Sequence, residues 1–221
     1  MRLRTWLGLS PATQRRVAWL LQIGLIGMFF IGIDRRDPGV VVNAGVGLAV
    51  AQLPPILERD YEIPMDPALT LWITGAVFLH ALGTVGIPGS GLGFYRSVWW
   101  YDHMTHALSA SVVAAASYAT IRAIDLHSAD IHLPPRFTFV FVLLFTVAFG
   151  VFWEVIEFAI AEVAALAGSA SVLTQYGLED TMMDLLFDVL GGVVAAVWGT
   201  AYLTDVVGAV QDRLDARANR R

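Results

Sequence analysis

The sequence contains no cysteine and no lysine. Without cysteine, the chain has no disulfide, no zinc–thiolate site and no thiol nucleophile. Charge is scarce as well: 15% of the residues are charged, whereas soluble domains carry about 25%. Such a deficit indicates that most of the chain avoids water. All 14 basic residues are arginine, and together with acid-rich loops this bias indicates a halophilic archaeal source.

Long uncharged runs, by contrast, are abundant, and 57% of the residues are hydrophobic. A helix needs about 20 apolar residues to cross a bilayer. The runs predict an all-α fold, a polytopic transmembrane bundle of six spans in a single membrane domain over residues 1–221. The predicted spans are residues 16–33, 39–57, 68–86, 102–122, 137–167 and 181–204, followed by a short charged tail at 205–221.

Two details refine these spans. The run Val17–Ile33 is long for a signal peptide and no small-residue cleavage site follows it, so it is predicted to be a retained first span. Pro54 and Pro55 fall near the end of the second run and are expected to kink or end that helix, because proline has no backbone N–H to donate.

The arginines predict the orientation. With a cytoplasmic N-terminus, every arginine except Arg35, Arg36 and Arg96 falls on the cytoplasmic side. This asymmetry follows the positive-inside rule. We therefore expect a multi-pass plasma-membrane protein with both termini cytoplasmic and with residues 211–221 as a charged helix in water or on the lipid surface. The basic residues form flanks rather than a surface, which argues against a nucleic-acid partner.

Acids and histidines occur inside four of the predicted spans. Spacings of three and four residues place those of one span on a common face of its helix. The predicted orientation places all of them in the extracytoplasmic half of the bilayer. They are His80 in the third span, Asp102, His103 and His106 in the fourth, Glu154 and Glu157 in the fifth, and Asp180, Asp184 and Asp188 in the sixth.

Lipid makes these acids costly. A charged side chain at the centre of a membrane helix costs about 2.5–3.5 kcal/mol. No arginine lies beside these acids to compensate it: Arg122 is at the far end of the fourth span, and the nearest is Arg96 in the loop before that span. Histidine, shared protons, water or a bound cation must do so instead. Three interpretations remain open: a metal site, a metal-free proton or cation pathway, and a structural polar network that fixes helix packing.

The leading hypothesis is a membrane-embedded, metal-dependent enzyme acting on a lipid or lipid-linked headgroup at the extracytoplasmic surface. Carboxylates and imidazoles without sulfur suit a hard or borderline divalent ion, whose identity the sequence does not give. The expected ligands are His103, His106, Glu154, Glu157, Asp184 and Asp188. The expected catalytic set is Asp102, which orients a histidine or acts as base, His106, and Asp180 at the entry.

The alternatives are a small proton- or cation-coupled transporter and a structural membrane protein. Single residues also have simpler interpretations. Asp180 could cap the sixth helix, His80 could be packed and hydrogen-bonded, and His127 could be solvated. Gly191 and Gly192 are expected to allow close helix packing. The oligomeric state is not predicted.

Several blocks of sequence resemble a known family. The blocks are Leu53–Arg59, Phe94-Tyr95, Trp99–His103 with His106, Trp153-Glu154-x-x-Glu157 and Asp180-Thr181-x-x-Asp184. In order and spacing, from about residue 45 to 200, they resemble the YjdF-type family of uncharacterised prokaryotic inner-membrane proteins. The resemblance implies a membrane fold and supports most directly Asp102, His106, Glu154, Glu157, Asp180 and Asp184, but it names no substrate.

A weaker similarity is to VanZ-like membrane proteins. These also combine an Asp-x-x-x-His opening, as at Asp102 and His106, with an intramembrane glutamate and a later aspartate followed by glycine. VanZ-like proteins are linked to glycopeptide tolerance. This similarity is an analogy of pattern and carries no activity to this chain.

Overall fold

The structure is a computed structural model that describes residues 9–87, 92–169, 171–173 and 175–218, and within them the chain is helical. The one strand-like feature in these ranges is an isolated bridge between Gly86 and Gly93. The helices are α1 (Pro11–Arg35), α2 (Pro38–Ala51), α3 (Leu53–Tyr61), α4 (Pro67–Thr84), α5 (Phe94–Ser97), α6 (Tyr101–His127), α7 (Pro135–Leu166), α8 (Leu178–Tyr202) and α9 (Thr204–Ala218).

Proline opens four of the long helices, α1, α2, α4 and α7. Its fixed φ suits the first turn, where a backbone N–H would have no partner within the helix. Ser10, Asp37 and Asp66 precede three of these prolines, and each side chain accepts a hydrogen bond from a first-turn backbone N–H. The sequence therefore specifies these helix starts locally.

The predicted transmembrane bundle is confirmed. Five segments are long and apolar enough to cross a membrane: α1, α2 together with α3, α4, α6 and α7. Helix α8 has 25 residues, and a helix of that length measures about 37 Å, more than the roughly 30 Å of a hydrocarbon core. That α8 is the sixth span, and that both termini are cytoplasmic, remain predictions.

The second predicted span is broken, as Pro54 and Pro55 indicated. Helix α2 ends at Ala51, and α3 starts again at Leu53 with the two prolines in its first turn. The helix then continues to Tyr61, beyond the predicted end at residue 57. The prolines thus interrupt the helix without ending it, because the first turn of a new helix tolerates them.

The long helices form two groups that meet along one seam. Helices α1, α2 and α4 pack on one another around Leu25, Met28 and Ala44. Helix α6 packs most extensively on α8 and also contacts α7 and α9, while α4 joins α6 across the seam. Gly191 permits the close approach of α8 to α6, since a Cβ there would collide with the Ala107 carbonyl, as the sequence predicted.

The charged tail differs from the expected free helix. Helix α9 begins at Thr204 and packs on α6, with Leu203 and Val207 buried between them. The Arg213 guanidinium lies 5.1 Å from the centre of the Tyr61 ring. The tail therefore belongs to the bundle, because its apolar face covers the end of α6; residues 219–221 lie outside the described ranges.

His127, expected to be solvated, instead contacts Asp215 of α9. Gln211 of α9 reaches the Leu126 carbonyl, at 3.4 Å. Arg213 donates to the Asp60 carbonyl at 3.2 Å. Helix α9 thus ties the end of α3 to the end of α6, which places both ends on one side of the bundle.

Candidate functional site

The predicted site residues come from three helices that meet at the opposite end of the bundle. A short loop joins α6 to α7 and another joins α7 to α8, so α7 runs against both of its neighbours. The last half of α7 therefore lies beside the first turns of α6 and α8. The side chains brought together there are Asp102, His103, His106, Glu154, Asp184 and Asp188.

His106 is the centre of this cluster. Its Nε2 atom lies 3.9 Å from Asp102 Oδ1, 3.8 Å from Glu154 Oε1 and 3.9 Å from Asp184 Oδ2. These distances exceed hydrogen-bond length. Ligand atoms bound to one ion at about 2.1 Å stand roughly 3–4 Å apart. The ligand atoms of Asp102, His106 and Asp184 lie within 4.8 Å of one another, as the ligands of one ion would, and Glu154 approaches this group through its contact with His106.

Asp188 lies on the other side of the His106 ring. Its Oδ1 atom is 3.4 Å from His106 Nδ1. A Cβ at position 150 would collide with the Asp188 carboxylate, so Gly150 provides the room for it. Proteins commonly orient a metal-binding histidine by a carboxylate at its second nitrogen. Asp188 therefore faces His106 from behind rather than joining the other three carboxylates.

The carboxylates of this cluster are incompletely satisfied. Glu154 Oε2 accepts a 2.7 Å hydrogen bond from Thr181, whose hydroxyl accepts one from Gln175 at 2.9 Å. Glu154 Oε1 and Asp188 Oδ2 are buried without a hydrogen-bond partner. A buried, unpartnered charged oxygen is costly. Glu154 and Asp188 are only 4% and 3% exposed, so bulk solvent does not reach these oxygens.

His103 contacts the other oxygen of Asp184. Its Nδ1 is 2.7 Å from Asp184 Oδ1, and its ring stacks on Phe187 with centroids 5.2 Å apart. Two sets of three side chains each bring their potential ligand atoms within 4.8 Å of one another. The first set is Asp102, His106 and Asp184, and the second is His103, Asp180 and Asp184. Asp184 belongs to both groups and presents one oxygen to each histidine.

The remaining predicted residues lie at the edge of the cluster. Glu157 Oε1 accepts a hydrogen bond from Trp153 Nε1 at 3.1 Å. Asp180 accepts one from the Tyr176 backbone N–H at 3.1 Å. Because α8 begins at Leu178, Asp180 lies inside the first turn and is not the cap.

His80 has a packed environment. Its ring lies edge-on to Tyr95 and Trp153, with centroids 5.8 Å away in both cases. Tyr95 donates a 2.8 Å hydrogen bond to the His80 carbonyl. Burial raises the pKa of Tyr95 well above its usual range, so the phenol keeps its proton and remains a donor. Gly83 makes this possible, since a Cβ there would collide with the Tyr95 ring.

A polar cavity of about 280 Å³ lies above the cluster. Its charged lining consists of Asp37, Asp102, Glu157 and Arg96. The Arg96 guanidinium lies 5.6 Å from the centre of the Tyr176 ring, which also lines the cavity. The cavity thus combines acidic groups with one arginine at its rim.

An apolar cavity of about 380 Å³ extends from the cluster in the other direction. His106 and Asp188 form its polar end. The rest of its wall is mostly apolar and includes Val42, Val46, Val50, Val77, Val113 and Phe149. His80, Asn43 and Leu173 line both cavities, so the two are neighbours around the cluster.

Sequence reasoning missed several residues of this region. Asn43 donates to the carbonyls of Gly39 and Val172, at 2.9 and 3.0 Å, and so fixes the loop after α7 over the start of α2. A lone amide within an apolar run was the available signal. Thr181 lies in the Asp180-Thr181-x-x-Asp184 block but received no role, and Gln175 carried no signal, because their contacts with Glu154 and with each other depend on the fold of the loop before α8.

Comparison with known proteins agrees with this architecture. A family described as "Predicted membrane protein (DUF2238)" matches residues 17–205. An uncharacterised protein of Thermotoga maritima is 30% identical over 138 residues, which is 62% of this chain and 65% of the relative. The chain thus spans slightly less than two thirds of that relative's length. No solved structure matches.

Proposed function

The chain belongs to the family of membrane proteins described as DUF2238, and on that premise we propose that it is a membrane-embedded enzyme that holds a divalent metal ion and acts on a lipid or lipid-linked headgroup. The matched family includes the helices that carry the cluster. The sequence blocks of this chain that resemble the YjdF-type proteins lie within the matched range, and membership of the YjdF-type family is part of the proposal.

One observation carries the metal site: three carboxylates from three helices surround His106 Nε2 at 3.8–3.9 Å. Asp102, His106, Glu154 and Asp184 are the proposed ligands. Asp188 would hold the imidazole in the tautomer that leaves Nε2 free to bind, which changes its expected role from ligand to positioning residue. The unpartnered Glu154 Oε1 supports a cation, because a buried carboxylate oxygen needs a compensating charge.

The cavities support the reaction class. A divalent ion at such a site polarises a phosphoryl or carbonyl oxygen and lowers the pKa of bound water. Glu157 lines the polar cavity beside Asp102, and the Trp153 indole fixes one of its oxygens. Glu157 is therefore positioned to take a proton from a hydroxyl or water in that cavity. Asp180 and His103 form a second group around Asp184 and border the entry.

The transporter and scaffold alternatives predict different features. A proton pathway needs ionisable groups that continue across the membrane. Beyond Asp188 the described lining of the apolar cavity contains no ionisable side chain. This supports a site served from one side of the bundle over a pathway through it.

The deciding experiment is metal analysis of purified protein after incubation with Mg²⁺, Mn²⁺, Fe²⁺ or Zn²⁺ and removal of the excess. Wild type is expected to retain an ion that Glu154→Gln loses. Glu162→Gln is the matched control, because Glu162 is an exposed acid on the same helix. Wild-type protein that retains none of these ions would refute the proposal.

Thermal unfolding of the metal-free protein separates the enzyme from the scaffold. If the cluster exists to bind a cation, neutralising Glu154 should raise the melting temperature, since functional sites commonly reduce stability. If the cluster only fixes packing, Glu154→Gln should lower it. The direction of the shift therefore discriminates between the two without knowledge of the substrate.

A further inference from the structure

The two cavities follow a polarity gradient along three helices at once. At the start of α2, Asp37 and Gly39 line the polar cavity, whereas Val46 and Val50 further along the helix line the apolar one. On α6, Asp102 lines the polar cavity, and Val113 lines the apolar one. The gradient therefore belongs to the whole seam between the helix groups rather than to one side chain.

Helix α7 runs antiparallel to α2 and α6, so along this helix most of the residues that line the apolar cavity come before the residue that lines the polar one. Glu157 lines the polar cavity, and most of the α7 residues that line the apolar one, such as Gly150, Phe149 and Thr146, come earlier in the helix, with Ile160 as the exception. Agreement between antiparallel helices fixes the direction of the gradient along the bundle axis. The metal cluster lies at the boundary between its polar and apolar parts.

The apolar cavity opens sideways. Helices α2 and α7 both line it but hardly touch each other along their described lengths. Their lining residues Val42, Val46 and Phe149 are 40%, 54% and 44% exposed. These helices are membrane-spanning segments, so this gap faces lipid and not water.

A chain-shaped ligand fits these dimensions. From His106 to Val113 helix α6 rises roughly 10 Å, which is the depth of cavity available to a hydrocarbon chain. Ligand sites are typically apolar clefts with a few polar groups that fix orientation, and here those groups are His106 and Asp188 at one end. A phosphate at the head of such a lipid would meet Arg96, the one basic residue among the described lining of the polar cavity.

We propose that a phospholipid enters laterally between α2 and α7, with one acyl chain in the apolar cavity and its phosphate-bearing head in the polar cavity. The phospholipid is a substrate only if the proposed function holds, but its binding in the two cavities does not require the metal. Arg96 would be a binding residue for the phosphate, and Val46 and Phe149 would form the mouth through which the chain passes.

The test uses the full chain in nanodiscs that contain an anionic phospholipid with a photoreactive group at the end of one chain. After irradiation, peptide mass spectrometry should find adducts on cavity residues such as Val50 and Val113, in addition to the lipid-facing surface. Adducts confined to outer-surface residues such as Phe158, which is 53% exposed, would overturn the proposal.

Two variants on one helix make the test specific. Ala110 lines the apolar cavity and is 6% exposed, so Ala110→Trp should fill it and reduce the internal adducts to background. Ala116, exposed on the same helix, gives the control Ala116→Trp, which should keep them. Val113→Phe serves as a smaller filling variant if Ala110→Trp does not fold. Internal adducts that persist in a folded filling variant would contradict the assignment.

The head is tested with Arg96→Gln and a neutral diacylglycerol that carries the same photoreactive chain. Arg96→Gln should lower internal labelling by the phospholipid and leave that by the diacylglycerol unchanged. Equal losses for both lipids would refute the phosphate assignment. Glu154→Gln should keep internal labelling while losing metal, so failure of lipid binding and failure of the metal site are distinguishable.

Discussion

The two ends of the bundle contain the same residue types in opposite arrangements. At the α9 end most charged groups have their own partners: Arg122 contacts Asp125, His127 contacts Asp215, and Arg213 donates to the Asp60 carbonyl, although its Nε atom is buried without a hydrogen-bond partner. At the other end the carboxylates outnumber their partners.

There, one imidazole faces four carboxylates, two of which have a buried oxygen without a hydrogen bond. Polar groups that stabilise a fold are paired, whereas polar groups kept for a ligand are left incomplete. The excess of carboxylates therefore supports this end as the candidate functional site.

The largest effect is expected from a substitution of Asp188, which positions the His106 ring at the end of the bundle that carries the cluster. Asp188→Asn should weaken metal binding by about 10–100-fold, the usual cost of losing a carboxylate behind a histidine ligand. Isothermal titration calorimetry, in which the metal ion is added to the metal-free protein, measures this affinity.

Gly150→Ala should act in the same direction and more weakly, because its Cβ displaces the Asp188 carboxylate. An unchanged affinity in Asp188→Asn would show that Asp188 does not position the ring.

An effect of similar size, on stability rather than on metal binding, is expected from the contact that holds the cluster together. Gly191→Ala places a methyl group against the Ala107 carbonyl, so α6 and α8 must separate, at a cost of about 1–3 kcal/mol. Chemical denaturation in detergent is the measurement.

Gly27→Ala is the control, since nothing lies within 4 Å of a Cβ there; it should be neutral or slightly stabilising, because alanine favours helix over glycine. Equal destabilisation by both substitutions would mean that the close approach of α6 and α8 is not what Gly191 provides.

The smallest effect is expected at the paired end. Asp215→Asn removes the partner of His127, and both side chains are partly exposed, at 45% and 29%. Exposed ion pairs contribute less than about 1 kcal/mol, so the melting temperature should fall slightly, and metal content should not change. A loss of metal in Asp215→Asn would break the separation of the two ends.

The fold was largely predictable from local chemistry. Apolar runs bounded by Pro38, Pro67 and Pro135 gave the helices, because proline opens a helix and lipid demands long uncharged segments. The short helix α5 was missed, since four residues give no periodicity. The packing of α9 on α6 was missed as well, because its arginines and aspartates obscure the apolar face with Val207.

The candidate site was predictable in composition but not in arrangement. Helical spacing grouped His103 with His106, yet they face different oxygens of Asp184. Two side chains three residues apart on a helix differ in direction by only about 60°, so the neighbouring helices decide which atom each one meets. The cavities were beyond prediction for a related reason: they arise where α2 and α7 fail to touch, and no single helix encodes a gap.

The sideways opening between α2 and α7 has a consequence for how any ligand is counted. A molecule that arrives through this gap never leaves the bilayer, so its effective concentration is its mole fraction among the surrounding lipids. Doubling the volume of buffer leaves that quantity unchanged, whereas diluting the lipid with detergent or with inert phospholipid lowers it. Saturation curves for this protein should therefore be plotted against the mole fraction of the ligand in the membrane, because its concentration per volume of sample changes with the amount of buffer.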